Sequence, residues 1–316
     1  MKTLFALIFF LAANVLQAQS STPKISVRDK SLTVVRLLLN WVPEPEFGGF
    51  YAAQALGIYE KHGLKVEIIP GGAGTPTVQM LGAGKVEFAI TSGGEIVVAR
   101  VRGSDVVAVH SSFEISPMGL MAHKSLKIKD LADLFNREGL TLAIQRGEAY
   151  VDFLEKKFGL SKMKVVPYSG GVASFLRDSN FVQQGFIFSE PLTAKREGAQ
   201  PDFFLLATAG YNPYAIVMSV RGDYLKKNEE LVKKMVMAVQ EGWDAYVQDP
   251  QPANKLMGEL NRAMDAQTFT EGSLVQKPLL GKGLMAESRW AEHIQQLLDA
   301  KTIKKAPSPK DCFRSF

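Results

Sequence analysis

Asn40-Trp41-Val42-Pro43-Glu44-Pro45-Glu46-Phe47-Gly48-Gly49-Phe50-Tyr51 opens the stretch that decides the fold, residues 40 to 72. A largely apolar strand, Val34 to Leu39, runs into it. A helix is predicted from Phe47 to a stop at Gly63, followed by a second strand, Val66 to Ile69, that ends on Pro70-Gly71-Gly72. This strand, loop, helix, strand unit gathers aromatic and acidic residues at one end of a sheet, which is where open α/β sheets bind ligands.

Outward from this unit the pattern repeats. Phe88 to Thr91 empties into Ser92-Gly93-Gly94, a helix follows to Arg102, and Val106 to His110 is the next strand. Such alternation predicts a mainly parallel sheet with helices on both faces. A second set follows, with strands at Gly119 to Ala122, Leu140 to Gln145, Val165 to Tyr168, Gly185 to Phe188 and Phe203 to Ala207, interleaved with short helices. After Tyr214 one strand, Ala215 to Val220, precedes mainly helical sequence, with Asn228 and Ser288 read as helix caps. At 316 residues the chain exceeds what one core supports. Two lobes are therefore expected, 33–115 with 215–303 as the first and 116–214 as the second, joined by two crossings near Pro117 and Pro213 that form a hinge. Residues 304–316, with Pro307 and Pro309, read as a loosely held tail.

Lys2 followed by the apolar run Leu4 to Leu16 and a small residue, Ala18, reads as an export signal over residues 1–18. The run is short for a membrane span, which needs roughly 20 apolar residues. With 46% apolar and 22% charged residues the chain is not globally disordered. Its net charge of +5 is mild and dispersed, which gives no nucleic-acid footprint. Cys312 is the only cysteine, so neither an intrachain disulfide nor a zinc cluster is available.

Enzymatic motifs are missing. His62, His110, His123 and His293 stand at no metal-binding spacing, there is no Gly-x-Ser-x-Gly elbow, and Gly71-Gly72-Ala73-Gly74 lacks the Lys-Ser/Thr of a P-loop. His293 is expected on a surface helix face, and no catalytic residue, metal or cofactor is assigned. Glycine pairs at 48–49, 71–72, 93–94 and 170–171 each begin a helix or end a strand, where free backbone N–H groups can meet a ligand. Any one pair is explained by a tight turn; four at equivalent ends point to a shared cleft. Aromatic and acidic residues cluster at the same ends: Trp41, Glu44, Glu46, Tyr51, Glu95, Phe113, Glu114, Tyr168, Glu190, Tyr211 and Tyr214. Aromatic faces stack on flat rings and carboxylates accept N–H donors. For each aromatic, core packing is the competing explanation.

Trp41-x-Pro43, Gly49-x-Tyr51-x-Ala53, Gly57-x-Tyr59, Gly63-Leu64-x-Val66, Pro70-Gly71-Gly72, the Gly84-to-Phe88 segment and Glu190-Pro191 resemble the substrate-binding proteins of ABC importers for nitrate, sulfonates, taurine and thiamine precursors. Within that family the sequence is similar to the thiamine-pyrimidine-precursor branch, which shares its fold with an enzyme that makes the pyrimidine. The resemblance implies a type II periplasmic binding fold of two α/β lobes with a ligand cleft between them. It also implies a periplasmic, monomeric receptor for a small molecule, working with an ABC permease and its ATPase and needing no cofactor. By position, Trp41 is the expected stacking platform, Gly93-Gly94 a backbone donor site and Glu190 an acceptor from the second lobe. Glu46, Tyr51, Gly72, Ser92, Phe113, Tyr168 and Tyr214 complete the expected site, with Arg146 its one obvious cation. Glu44 and Glu46 tilt the ligand from small anions toward a planar nitrogen heterocycle. A sulfonate, taurine or nitrate receptor is the alternative within the family, and a pyrimidine-synthase-like enzyme the alternative outside it.

Overall fold

The computed structural model describes residues 32–316, and the expected export signal lies outside them. Eleven strands among these residues form two sheets. In chain order they are β1 Thr33–Leu38, β2 Leu64–Ile69, β3 Phe88–Thr91, β4 Val106–Phe113, β5 Met118–His123, β6 Thr141–Ile144, β7 Lys164–Pro167, β8 Phe181–Phe186, β9 Pro201–Leu205, β10 Val217–Arg221 and β11 Leu280–Gly283. One sheet has the order β11-β4-β10-β3-β1-β2 and the other β7-β6-β8-β5-β9. The architecture is the expected two-lobed α/β fold.

β1 pairs in parallel with both β2 and β3, as the alternating pattern predicts. The surprise lies in the middle of that sheet, where β10 inserts antiparallel between β3 and β4, setting Val217 opposite both Thr91 and Ser111. β3 and β4 are buried along their whole length, so their near-continuous apolar sequence suits a central position.

The helix expected to run from Phe47 to Gly63 is three pieces: a short 3-10 turn at Pro45–Phe47, a helix at Gly48–Ala55 and another at Ile58–Lys61. Gly57 breaks it with φ of +65°, a conformation a side chain would resist. The Gly48-Gly49 pair is not a ligand-facing turn. A Cβ on Gly48 would lie 2.2 Å from Tyr246, and one on Gly49 2.3 Å from Trp243, while one on Gly242 would meet the Gly49 carbonyl at 2.2 Å. These glycines let the Gly48–Ala55 helix press against the Glu229–Gln248 helix, backbone to backbone.

Two further expectations are corrected, and a third is met only in part. Asn228 holds the N-cap position of the Glu229–Gln248 helix as expected, but its side chain makes no capping bond there and its amide instead donates to the Tyr224 carbonyl of the preceding helix at 3.0 Å. Ser288 sits inside the Glu287–Asp299 helix, whose cap is Ala286. The tail is not loose: Cys312 is fully buried, Phe313 pairs with Ala108 of β4 and stacks on Trp290, and the Arg314 N–H donates to the Ala108 carbonyl at 2.8 Å. β11 covers only the Ser111–Phe113 end of β4, and the tail covers part of the remaining edge. Burial pushes the Cys312 thiol up to about 11, so it is a packed side chain and not a reactive thiolate.

Candidate functional site

The β1 end delivers Trp41, Glu44 and Glu46, and the β7 and β8 ends of the second lobe deliver Tyr168, Ser189 and Glu190. These side chains meet. Half-buried Trp41 donates its Nε1–H to Glu44 Oε1 at 3.2 Å, and Ser189 lies beside the same carboxyl. On the facing lobe the Tyr168 hydroxyl donates to Glu190 Oε1 at 2.7 Å, and the Phe186 N–H donates to Glu190 Oε2 at 2.8 Å. A Cβ on Gly185 would lie 2.6 Å from Glu190, so only glycine there lets the carboxylate fold back over its own strand.

The loop carrying the two lobe-1 glutamates is fixed from a distance. Asn261 donates to the Pro43 carbonyl at 3.0 Å and Gln276 to the Pro45 carbonyl at 2.7 Å. Glu44 is 9% exposed and Glu46 1%, and Glu46 Oε2 has no hydrogen-bond partner. Burial first, and the Glu190 charge second, raise the Glu44 carboxyl to about 7. Burial and then the Glu44 charge push Glu46 well above the usual carboxylate range, and burial raises Glu190 against the pull of Tyr168 and the Phe186 N–H. Three carboxylates thus share one desolvated spot beside an indole ring. Among the described residues no ion pair or hydrogen bond brings a lysine, arginine or histidine to any of the three. No group of three or more His, Cys, Asp or Glu there is placed to hold a metal ion.

The other expected site residues divide. Ser92 caps the Gly93–Val101 helix in a capping box with Glu95. The Gly93 N–H is taken by the Tyr214 carbonyl at 2.8 Å and the Gly72 N–H by Thr75 Oγ1 at 2.8 Å, so neither amide is held ready for a ligand. Gly94 lies against His293, whose Nε2 a Cβ there would meet at 3.3 Å, with Ala149 of the second lobe at 4.0 Å. Arg146 is exposed and outside the carboxylate cluster. Crowding by the protein, and then the Glu95 charge, raise the neighbouring Glu148, though both side chains stay open to screening water.

Tyr51, Phe113 and Tyr214 are buried and pack against other side chains of the protein. Phe113 is 1% exposed and stacks on Phe188 at 5.9 Å. Tyr51 is 1% exposed within the first-lobe core. Tyr214 packs on Trp290, accepts the Ala286 N–H at 2.7 Å and carries the Arg289 guanidinium 3.9 Å over its ring. An aromatic residue at a strand end serves packing as readily as ligand contact. The contributions missed in the sequence are Ser189, which adjoins a recognised glutamate, and the Asn261 and Gln276 anchors, which lie over two hundred residues away with no local signal.

The NMT1/THI5-like family profile matches residues 44–253, well over half of the chain. The chain belongs to the NMT1/THI5-like family. The carboxylate cluster falls inside the matched span, whereas the Gln276 anchor lies beyond it. Similar relatives include the riboflavin-binding protein RibY of Chloroflexus aurantiacus, 26% identical over 71% of this chain and 65% of that one. The chain thus aligns with just under two thirds of RibY's length. The 4-amino-5-hydroxymethyl-2-methylpyrimidine phosphate synthase of Legionella pneumophila is 24% identical over 71% of this chain and 72% of that one. The formylaminopyrimidine-binding protein of Halalkalibacterium halodurans is 23% identical over 79% and 77%. In fold, the NMT1/THI5-like chain resembles the periplasmic aliphatic sulphonate binding protein SsuA of Escherichia coli, with a TM-score of 0.70 and 15% identity over 89% of this chain and 92% of that one.

Proposed function

We propose that this protein is an exported, monomeric receptor of an ABC import system that holds a small planar nitrogen heterocycle, of thiamine-pyrimidine type, between its two lobes and hands it to a permease and its ATPase. The observation that carries this reading is the meeting of Trp41 and Glu44 of one lobe with Tyr168 and Glu190 of the other. An indole face takes a flat ring, and carboxylates from both sides take its N–H edge, so the ligand links the lobes. Two of the relatives named above are binding proteins for ring compounds of this kind, which supports the same class. A sulfonate or nitrate would meet three carboxylates and no cation, and is disfavoured.

The synthase among the relatives motivates the enzymatic reading. An iron site built on histidines does not fit this chain. His62 pairs with Glu241 at 3.0 Å, His123 bonds the Phe175 carbonyl at 2.8 Å, and His110 and His293 are buried with both ring nitrogens unpartnered. The four do not converge.

Native mass spectrometry of the purified chain, with release of any small molecule, tests the proposal. Recovery of a nitrogen heterocycle is the expected result; recovery of an alkanesulfonate alone rejects it. A thermal-shift panel of pyrimidines, flavins and sulfonates gives the same discrimination, because a ligand that binds only the folded chain raises its apparent stability.

A further inference from the structure

We infer that the ligand enters the cleft as a cation, and that Glu44, Glu46 and Glu190 take up its positive charge in exchange for a proton. This inference rests on the ligand-site reading above and adds what that reading leaves open, the charge of the ligand.

The groups contacting the three carboxyls are the Trp41 N–H, the Tyr168 hydroxyl, the Phe186 N–H, Ser189 and the backbone N–H groups of Glu46 and Glu190 themselves. Each is neutral. From the helix at Glu229–Gln248 the facing titratable group is Tyr246, also neutral. The helix at Ala266–Gln276 brings the Gln276 amide, while its one nearby acid, Glu271, is turned to Arg196 at 3.4 Å. The fixed donors are unevenly shared, and one oxygen of the buried Glu46 side chain, Oε2, has none. A buried, unpaired carboxylate is costly, so each must hold a proton or meet a positive charge.

With no ligand, protons fill that role: burial and mutual repulsion keep Glu44 and Glu46 partly or wholly protonated near neutral pH. A cationic ring beside Trp41 removes the need for them. Its charge favours the ionised carboxylates, its N–H groups supply the missing donors, and the indole face adds a cation–π contact. A proton leaves as the cation arrives, so charge balances across the event. An uncharged ring would keep the protons in place, and a phosphorylated ring would add negative charge to a site already holding too much.

Isothermal titration calorimetry of the full chain tests this at pH 6, 7 and 8, in paired buffers of different ionisation enthalpy. The probes are a ring-N-methylated 4-amino-2-methylpyrimidinium salt, which is a permanent cation, and thymine, an uncharged ring with N–H donors. The expected result is tighter binding of the cation, release of a proton at pH 7, and affinity that rises with pH by up to about tenfold per unit. Glu44→Gln should reduce both the proton release and the preference for the cation, and Glu46→Gln provides a second isosteric variant should the first fold poorly. Thymine bound more tightly than the cation, or cation affinity flat or falling with pH, overturns the charge assignment and leaves the receptor reading intact. Failure of both rings, with an alkanesulfonate bound, overturns the two together.

Discussion

On the cleft side, Glu44 and Glu46 of one lobe face Glu190 of the other, like charge against like, with an oxygen left unpartnered. On the side where the chain crosses between lobes, most polar groups are paired, and Arg289 Nη1 and the His293 ring are the ones left without a hydrogen bond. Arg289 donates to the Asn212 carbonyl at 2.8 Å, to Asn212 Oδ1 at 3.2 Å and to the Pro213 carbonyl at 3.1 Å. Asn212 accepts the Ser116 N–H at 2.8 Å, so the two crossings are tied to each other. Thr302 donates to Asp152 at 2.6 Å, and Lys156 pairs with Asp299 at 3.1 Å. The contrast teaches where function lies. A contact meant to last satisfies its own groups, and a contact meant to receive something leaves them wanting.

The largest effect expected from breaking this contrast is on the cleft side. Glu190→Gln removes a charged acceptor already held by Tyr168 and the Phe186 N–H, and should weaken binding of the recovered ring compound by about 2 to 5 kcal/mol. Unchanged affinity by calorimetry would remove Glu190 from the site. On the crossing side, Arg289→Ala strips three hydrogen bonds and the stacking over Tyr214, and should cost about 2 to 3 kcal/mol in urea unfolding with the chain's intact ligand chemistry retained.

The smallest effect concerns an unpartnered ring on the crossing side. His293 is buried there with neither ring nitrogen partnered, and burial lowers it to about 4. Its unfolded value is near 6.5, so between 6.5 and 4 the unfolded chain binds the extra proton and stability falls as pH falls. His293→Gln should recover up to about 2 kcal/mol of that loss at pH 5, read as a smaller difference between unfolding midpoints at pH 5 and pH 7. Glu44 acts in the opposite sense: raised to about 7 from 4.5, its contribution is present at low pH and is lost as pH rises through that window. The two sides of the molecule therefore pull the pH profile in opposite directions.

Much of the fold was legible because its strands are short apolar runs, and the site residues lie just past their ends: Glu44, Glu46 and Tyr168 each follow a proline, while Trp41 and Glu190 come three and four residues after β1 and β8. What stayed hidden depends on partners distant in sequence. The insertion of β10 between β3 and β4 has no local signal. Gly48 and Gly49 read as a ligand turn because Tyr246 and Trp243, the rings they accommodate, come almost two hundred residues later. His293 shares its helix with the Trp290, Ile294 and Leu297 stripe, and the turn of the helix carries it inward with them. The tail looks loose in composition, with lysines and prolines around it, yet two side chains, Cys312 and Phe313, are enough to seat it.

The insertion of β10 also sets an order of assembly. The second lobe's five strands are contiguous from Met118 to Leu205, so that sheet has all its partners as soon as this segment has been made. The first lobe's sheet cannot join β3 to β4 until Val217–Arg221 arrives, and the edge of β4 waits for Phe313. The lobe that contributes Trp41 and the two paired glutamates is begun first and finished last. Its acidic pocket therefore takes shape against a second lobe whose own sheet already has every strand.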